Sequence, residues 1–182
     1  MKRFFNTTGL CNPKDHYMVD PFRDIYEDVL RLIEAKQYFL IHAPRQTGKT
    51  TLLHSLAHRL NRDGHFVAVV CSLESAGYPS ISVMDANMVF AKSLYRMARI
   101  FLDESFFPPD PASYVADASL FEEYLTHWSQ SLSQPIVLLL DEVDALHDDV
   151  LIALLRQLRN GFQIRPDNFP QSVALVGLRD IR

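Results

Sequence analysis

The sequence predicts an α/β fold in which helices cover both faces of a mainly parallel sheet, and three observations lead to this prediction. Four short apolar runs have the length and composition of buried strands. Segments with apolar residues at spacings of three and four, typical of amphipathic helices, separate these runs. The runs are apolar without interruption, as expected where both faces of a parallel sheet are covered. The predicted strands are 38–42, 66–71, 136–140 and 172–177.

Five helices are predicted around these strands, and turn-forming residues define several of their ends. The first begins at Pro21, a residue that is favoured in the first turn of a helix. Ser119, followed three residues later by Glu122, has the pattern of a capping box. Gly64 and Gly161 are placed to end helices. The predicted helical stretches are 21–33, 52–60, 84–102, 119–132 and 148–160.

Length and charge limit the classes of protein to which this chain can belong. Its 182 residues suit one domain. Eighteen Lys and Arg residues against 22 Asp and Glu residues give a net charge of −4, so no overall basic field attracts nucleic acid. Cys11 and Cys71 lack metal-ligand spacing and are expected to be reduced thiols. We find neither a signal peptide nor a run long enough to span a membrane, and therefore expect a cytoplasmic protein.

A candidate phosphate-binding loop follows the first predicted strand. Gly48 allows the backbone to approach a phosphate closely, Lys49 reaches the β- and γ-phosphates, and the Thr50 hydroxyl is placed to ligate Mg²⁺. The first loop position is Ala43 where glycine is usual, so the turn there needs an ordinary φ or carries a little strain. The alternative is a Gly-Lys-Thr sequence at an ordinary helix start. The candidate binding residues are Ala43, Pro44, Arg45, Gln46, Thr47, Gly48, Lys49, Thr50 and Thr51, the last towards the α-phosphate.

Two acidic residues end the third predicted strand. Asp141 and Glu142 follow a run of aliphatic residues, and the carboxyl ends of parallel strands meet where ligands bind. Asp141 would serve Mg²⁺ together with Thr50, and Glu142 would be the general base that polarises water. In the alternative interpretation these carboxylates, with Asp144, Asp148 and Asp149, only form an acidic turn before a helix.

Both motifs resemble those of one superfamily. The string APRQTGKTTLL resembles the Walker A motif of AAA-like and archaeal-type STAND ATPases, and IVLLLDEVDAL resembles their Walker B motif, which is also similar to that of origin-recognition ATPases. This resemblance to P-loop ATPases of the AAA+/STAND superfamily covers about residues 17–180. It implies a three-layer αβα P-loop NTPase fold with the sheet order 5-1-4-3-2. It also places Arg179 where relatives carry a basic residue that senses the γ-phosphate; the alternative is a solvent-exposed arginine.

The chain ends five residues after the fourth predicted strand. We therefore expect residues 1–182 to be a single nucleotide-binding domain, with 1–20 as an extended lead-in, truncated before the lid domain that the resemblance implies. The fifth strand and the sensor-2 arginine would then be missing. The strand 38–42 would lie at an exposed edge of the sheet unless the lead-in pairs with it.

The expected activity is Mg²⁺-dependent ATP hydrolysis, with Lys49, Glu142 and Arg179 as catalytic residues and with ATP and Mg²⁺ as ligands. One alternative is a nucleotide-dependent binding switch that hydrolyses little or no ATP and recruits a partner. Another is a P-loop kinase, which the adjacent Asp141 and Glu142 disfavour because this pair suits activation of water. Besides ATP and ADP, the partner would be a protein or a nucleic acid and not a membrane, and an oligomer of the full-length protein is compatible with the sequence.

Overall fold

The computed structural model describes residues 15–17, 25–42, 44 and 47–177, and the structural statements below concern these residues. The helices are α1 (Tyr26–Glu34), α2 (Lys49–Asp63), α3 (Val83–Phe101), α4 (Leu120–Ser131) and α5 (Asp148–Gly161). The strands are β1 (Tyr38–His42), β2 (Val67–Ser72), β3 (Ile136–Asp141) and β4 (Ser172–Gly177). All the predicted strands and helices are present in the described residues, although the predicted start of the first helix, at Pro21, lies outside them.

The four strands form one parallel sheet in the order β1-β4-β3-β2. The strand 172–177 thus separates the two strands that precede the candidate motifs, as the resemblance implied. Among the four described strands, β1 and β2 lie at the two ends of this order, and Leu40 in β1 is 39% exposed. The predicted αβα fold with a mainly parallel sheet is confirmed.

Two layers of apolar side chains fill the space between the sheet and the helices. In β3, Leu138 and Leu140 pack in the layer formed with α3, α4 and α5, whereas Val137 and Leu139 pack in the layer formed with α1 and α2. Successive side chains of a strand point to opposite faces, so both sets must be apolar when helices cover both faces. This arrangement leaves the carboxyl ends of the strands, and the loops after them, to carry polar side chains.

The predicted capping box at the start of α4 is wrong, although the helix itself is present. The Ser119 side chain does not cap the helix, and its hydroxyl donates instead to Asp117 Oδ1 at 3.1 Å. The Glu122 amide donates to Oε1 of Gln157 at 3.0 Å. Gln157 of α5 therefore caps α4 in place of Ser119. A motif of neighbouring residues cannot predict this contact, because Gln157 is distant in the sequence.

Gln157 also connects α5 to α3 inside the protein, which leads to a prediction on stability. Its Nε2 donates to Asn87 Oδ1 at 3.0 Å, and both side chains are buried. Gln157→Ala would leave the Asn87 oxygen and the Glu122 amide without these partners, so we expect the free energy of unfolding to fall by about 2 to 4 kcal/mol. Urea unfolding followed by fluorescence of the single tryptophan, Trp128, measures this.

Gln130→Ala is the matched control for this stability measurement. Gln130 is exposed and its Nε2 donates to Asn168 Oδ1 at 2.9 Å on the surface, so its removal should change the free energy of unfolding by less than about 0.5 kcal/mol. Equal midpoints for the Gln157 and Gln130 variants would contradict a stabilising role of the buried bonds.

Candidate functional site

The residues of the candidate site converge at the carboxyl edge of the sheet. The parallel arrangement brings the ends of all four strands to this edge. In the register of β2 and β3, Ser72 lies opposite Asp141, and in that of β1 and β4, His42 lies opposite Gly177. Crevices at this edge are where ligands bind in open parallel sheets.

Gly48 shapes the entrance to α2. Its φ of 86° lies in the left-handed region, which glycine adopts at little cost. A Cβ at this position would have no heavy atom of the described residues within 4 Å, so this side of the turn is open. Gly48, which precedes α2, has no side chain that could cap the helix. The amino end of a helix suits an anion, because its first amides point outwards and the helix dipole is positive there.

Two side chains of the loop donate to the same backbone carbonyl. The Lys49 Nζ donates to the Pro44 oxygen at 2.7 Å, and the Thr47 Oγ1 donates to it at 2.8 Å. Lys49 thus folds back over the loop that precedes its own helix. Thr51 follows on α2 and is partly buried.

Thr50 and Asp141 are in direct contact although 91 residues separate them in the chain. The Thr50 Oγ1 donates to Asp141 Oδ2 at 2.9 Å, and the other carboxylate oxygen accepts the Glu142 amide at 3.0 Å. Asp141 is only 4% exposed. The start of α2 and the acidic end of β3 therefore form one site.

Glu142 has an unusual backbone conformation and a close hydrogen-bond partner. Its φ of 60° is in the left-handed region, and Ser72 Oγ donates to its Oε2 at 2.5 Å. Burial raises the pKa of Glu142; the Ser72 hydrogen bond lowers it, and the negative charges of Glu74, Asp141 and Asp144 raise it further. The arrangement keeps a carboxylate next to Asp141 in a partly desolvated position.

Sequence reasoning missed Ser72 as a residue of the site. A signal existed, because Ser72 is the polar residue that ends an apolar strand, and parallel strands end at a common edge. The predicted strand 66–71 stopped one residue short of it.

Four residues that the sequence nominated lie outside the described part of the chain. They are Ala43, Arg45, Gln46 and Arg179. Their roles stay predictions, as do the roles of the described site residues. Within the described ranges no group of three or more His, Cys, Asp or Glu side chains could hold a metal ion. One carboxylate beside a hydroxyl nevertheless fits Mg²⁺, which proteins often bind through one or two carboxylates together with substrate phosphates.

Comparison with known proteins identifies the family. A family model described as "AAA domain" matches residues 30–182, which is most of the chain. The chain belongs to the AAA domain family. The matched range includes the loop before α2 and the acidic end of β3, and the resemblance to P-loop ATPases of the AAA+ superfamily is confirmed.

Solved structures similar to this AAA domain share its fold. Two are structures of Drosophila ORC with Cdc6, one bound to poly(dA/dT) DNA and one bound to GC-rich DNA. The TM-score is 0.55 for both, at identities of 13% and 15%, over 85% of this chain. The AAA domain spans 24% of the length of those chains, and at such low identities the likeness shows the fold alone.

Two further findings concern the AAA domain. No curated protein matches it. None of the helices in the described residues is long and apolar enough to cross a membrane.

Proposed function

We propose that this AAA domain binds ATP with Mg²⁺ at the carboxyl edge of the sheet and hydrolyses it. The observation that carries the proposal is the 2.9 Å contact between Thr50 Oγ1 and Asp141 Oδ2, with Glu142 next in the chain. It brings a hydroxyl at a helix start together with a buried carboxylate, which is the pair of oxygen ligands that a Mg²⁺-nucleotide site requires.

The phosphates would be held by the loop 43–51, which we interpret as a Walker A motif. Gly48 turns the backbone so that the first amides of α2 face the anion. Lys49 would exchange the Pro44 carbonyl for phosphate oxygens, since an ammonium group binds an anion more strongly than a neutral carbonyl. Arg179 would contact the γ-phosphate from beyond β4.

Thr50 and Asp141 would hold Mg²⁺, because both offer hard oxygen atoms at one point. When bound, Mg²⁺ would neutralise negative charge on the β- and γ-phosphates. Asp141 is already oriented for this role, since its second oxygen accepts the Glu142 amide. We interpret 136–142 as a Walker B motif on this basis.

Glu142 would act as the general base. Its carboxylate would accept a proton from water while the water oxygen bonds to the γ-phosphorus and ADP leaves, so that the products are ADP, phosphate and a proton. The Ser72 hydroxyl, 2.5 Å from Oε2, holds this carboxylate at the end of β2.

The same hydrogen bond favours a second candidate function, a nucleotide-dependent binding switch. The Ser72 hydroxyl stabilises the charged form of the Glu142 carboxylate and so makes it a weaker base, which would slow hydrolysis and let the bound nucleotide control a partner contact. The partner would be a protein or a nucleic acid. The solved structures of similar fold are complexes that contain both DNA and the protein Cdc6. The cytoplasmic location stays a prediction.

Phosphate release measured beside an ATP titration tests the proposal. We expect binding and phosphate release with Mg²⁺, loss of release on chelation with EDTA, and recovery with excess Mg²⁺. Asp141→Asn should reproduce the effect of chelation, whereas Asp167→Asn, at an exposed residue before β4, should behave like the wild type.

The products separate the alternatives. Binding without phosphate release would favour the switch, and a phosphorylated acceptor would favour a kinase. Absence of ATP binding would refute both the hydrolase and the switch.

A further inference from the structure

The turn after Glu142 lies between two glycines. This turn, Val143–Ala145, is a short 3₁₀ segment. A Cβ at Gly77, in the loop after β2, would lie 2.8 Å from the Ala145 carbonyl oxygen. A Cβ at Gly177, the last residue of β4, would lie 2.8 Å from Asp144 Oδ1. Both distances are shorter than nonbonded carbon and oxygen atoms tolerate, so the turn occupies space that any other residue would fill.

These glycines are needed for space and not for backbone conformation. Gly77 has φ −79° and ψ 11°, which any residue can adopt, and Gly177 belongs to a regular strand. Gly48 and Gly64 show the opposite combination: both have positive φ, and a Cβ on either would meet none of the described heavy atoms within 4 Å. An alanine at position 77 could therefore keep an ordinary φ and ψ. Its Cβ would meet the Ala145 carbonyl oxygen at 2.8 Å and, less tightly, the Glu74 carbonyl oxygen of its own loop at 3.1 Å.

The turn has little freedom to move away from a larger residue. Val143 is fully buried, so its side chain anchors the turn in the core. The Ala145 amide donates to the Glu142 carbonyl at 3.0 Å, and the Leu146 amide donates to the Val143 carbonyl at 3.2 Å. A side chain that displaces the Ala145 carbonyl is therefore expected to displace the backbone of Glu142 as well, because the turn between them is compact.

We infer that Gly77 and Gly177 are positioning residues for Glu142. Because neither glycine has a side chain, the turn Val143–Ala145 packs closely between them. This packing determines where the Glu142 carboxylate lies relative to Asp141 and Ser72. The expected effect on hydrolysis rests on the proposed function, because only a general base that has been displaced would transfer protons less effectively. The position of the Glu142 carboxylate does not depend on that function.

Gly77→Ala is the direct test. We expect phosphate release to slow about tenfold to a hundredfold while the Kd for ATP stays within about twofold, since a displacement of Glu142 leaves the loop before α2 intact. Gly64→Ala is the matched control. It strains the C-cap of α2 and should lower the melting temperature, but it lies away from the turn and should leave phosphate release unchanged.

A crystal structure of the Gly77→Ala protein provides a readout besides activity. We expect the Glu142 carboxylate to be displaced and its hydrogen bond to Ser72 to be lost or lengthened. An unchanged Glu142 would overturn the inference even if the wild type proves to be an active ATPase. A displaced Glu142 in a protein whose wild type releases no phosphate would support the inference and refute only the hydrolytic function.

Gly177→Ala keeps the inference testable if the position 77 variant does not fold. It presses on the Asp144 side chain from the other side of the turn, so Glu142 should again be displaced and phosphate release should again slow. Both effects should be smaller than in Gly77→Ala, because a carboxylate can rotate away. A folded Gly177→Ala protein with wild-type turnover and an unmoved Glu142 would count against a positioning role.

Discussion

Glu142→Gln should lower the rate of phosphate release by about two to three orders of magnitude while the Kd for ATP stays within about twofold. Glutamine has nearly the shape of glutamate, and its amide oxygen can still accept the Ser72 hydroxyl that now donates at 2.5 Å. The substitution therefore preserves the fold and removes only the ability to take a proton from water. Single-turnover phosphate release, measured beside a fluorescent-nucleotide titration, separates the two effects.

Glu34→Gln is the control for this substitution. Glu34 is an exposed glutamate at the end of α1, so the same chemical change there should alter neither binding nor release. Equal turnover of the Glu142 variant and the wild type would remove Glu142 from the role of base. A large loss of ATP affinity would instead show that its carboxylate contributes to binding.

The local elements of this fold could be predicted from the sequence because each carries its own periodic signal. The apolar run of β3 predicts a strand buried on both faces, and helices do cover both faces. The order of the strands came only from the resemblance to a superfamily. Periodicity along one chain indicates which residues are buried, but it does not say which strand pairs with which.

The candidate site was predictable where it follows from a rule of topology and not where it depends on packing. The contact of Thr50 with Asp141 follows from the parallel sheet, because a helix start and a strand end meet at one edge. The contact of Gly77 with the Ala145 carbonyl has no such rule, since it depends on how two loops pack. The cap that Gln157 provides for α4 has the same origin.

Lys49→Ala should weaken ATP binding about a hundredfold or more. Charge-assisted hydrogen bonds each contribute roughly 1.5 to 3 kcal/mol, and two of them to phosphate oxygens correspond to at least two orders of magnitude in Kd. The wild-type ammonium donates to the Pro44 carbonyl at 2.7 Å, so it already lies over the loop and little conformational entropy is lost on binding. Isothermal titration with ATP and Mg²⁺ measures the loss.

Lys92→Ala and Lys49→Arg make this measurement specific. Lys92 is exposed on α3, so its removal subtracts the same charge from the protein without touching the loop, and affinity should stay within about twofold. Arginine at position 49 keeps the positive charge but is planar and bulkier than an ammonium, so it should recover only a small part of the affinity. Full recovery with arginine would mean that overall charge, and not the position of the ammonium over this loop, accounts for binding. Equal losses for the alanine variants at positions 49 and 92 would argue against a phosphate site at the start of α2.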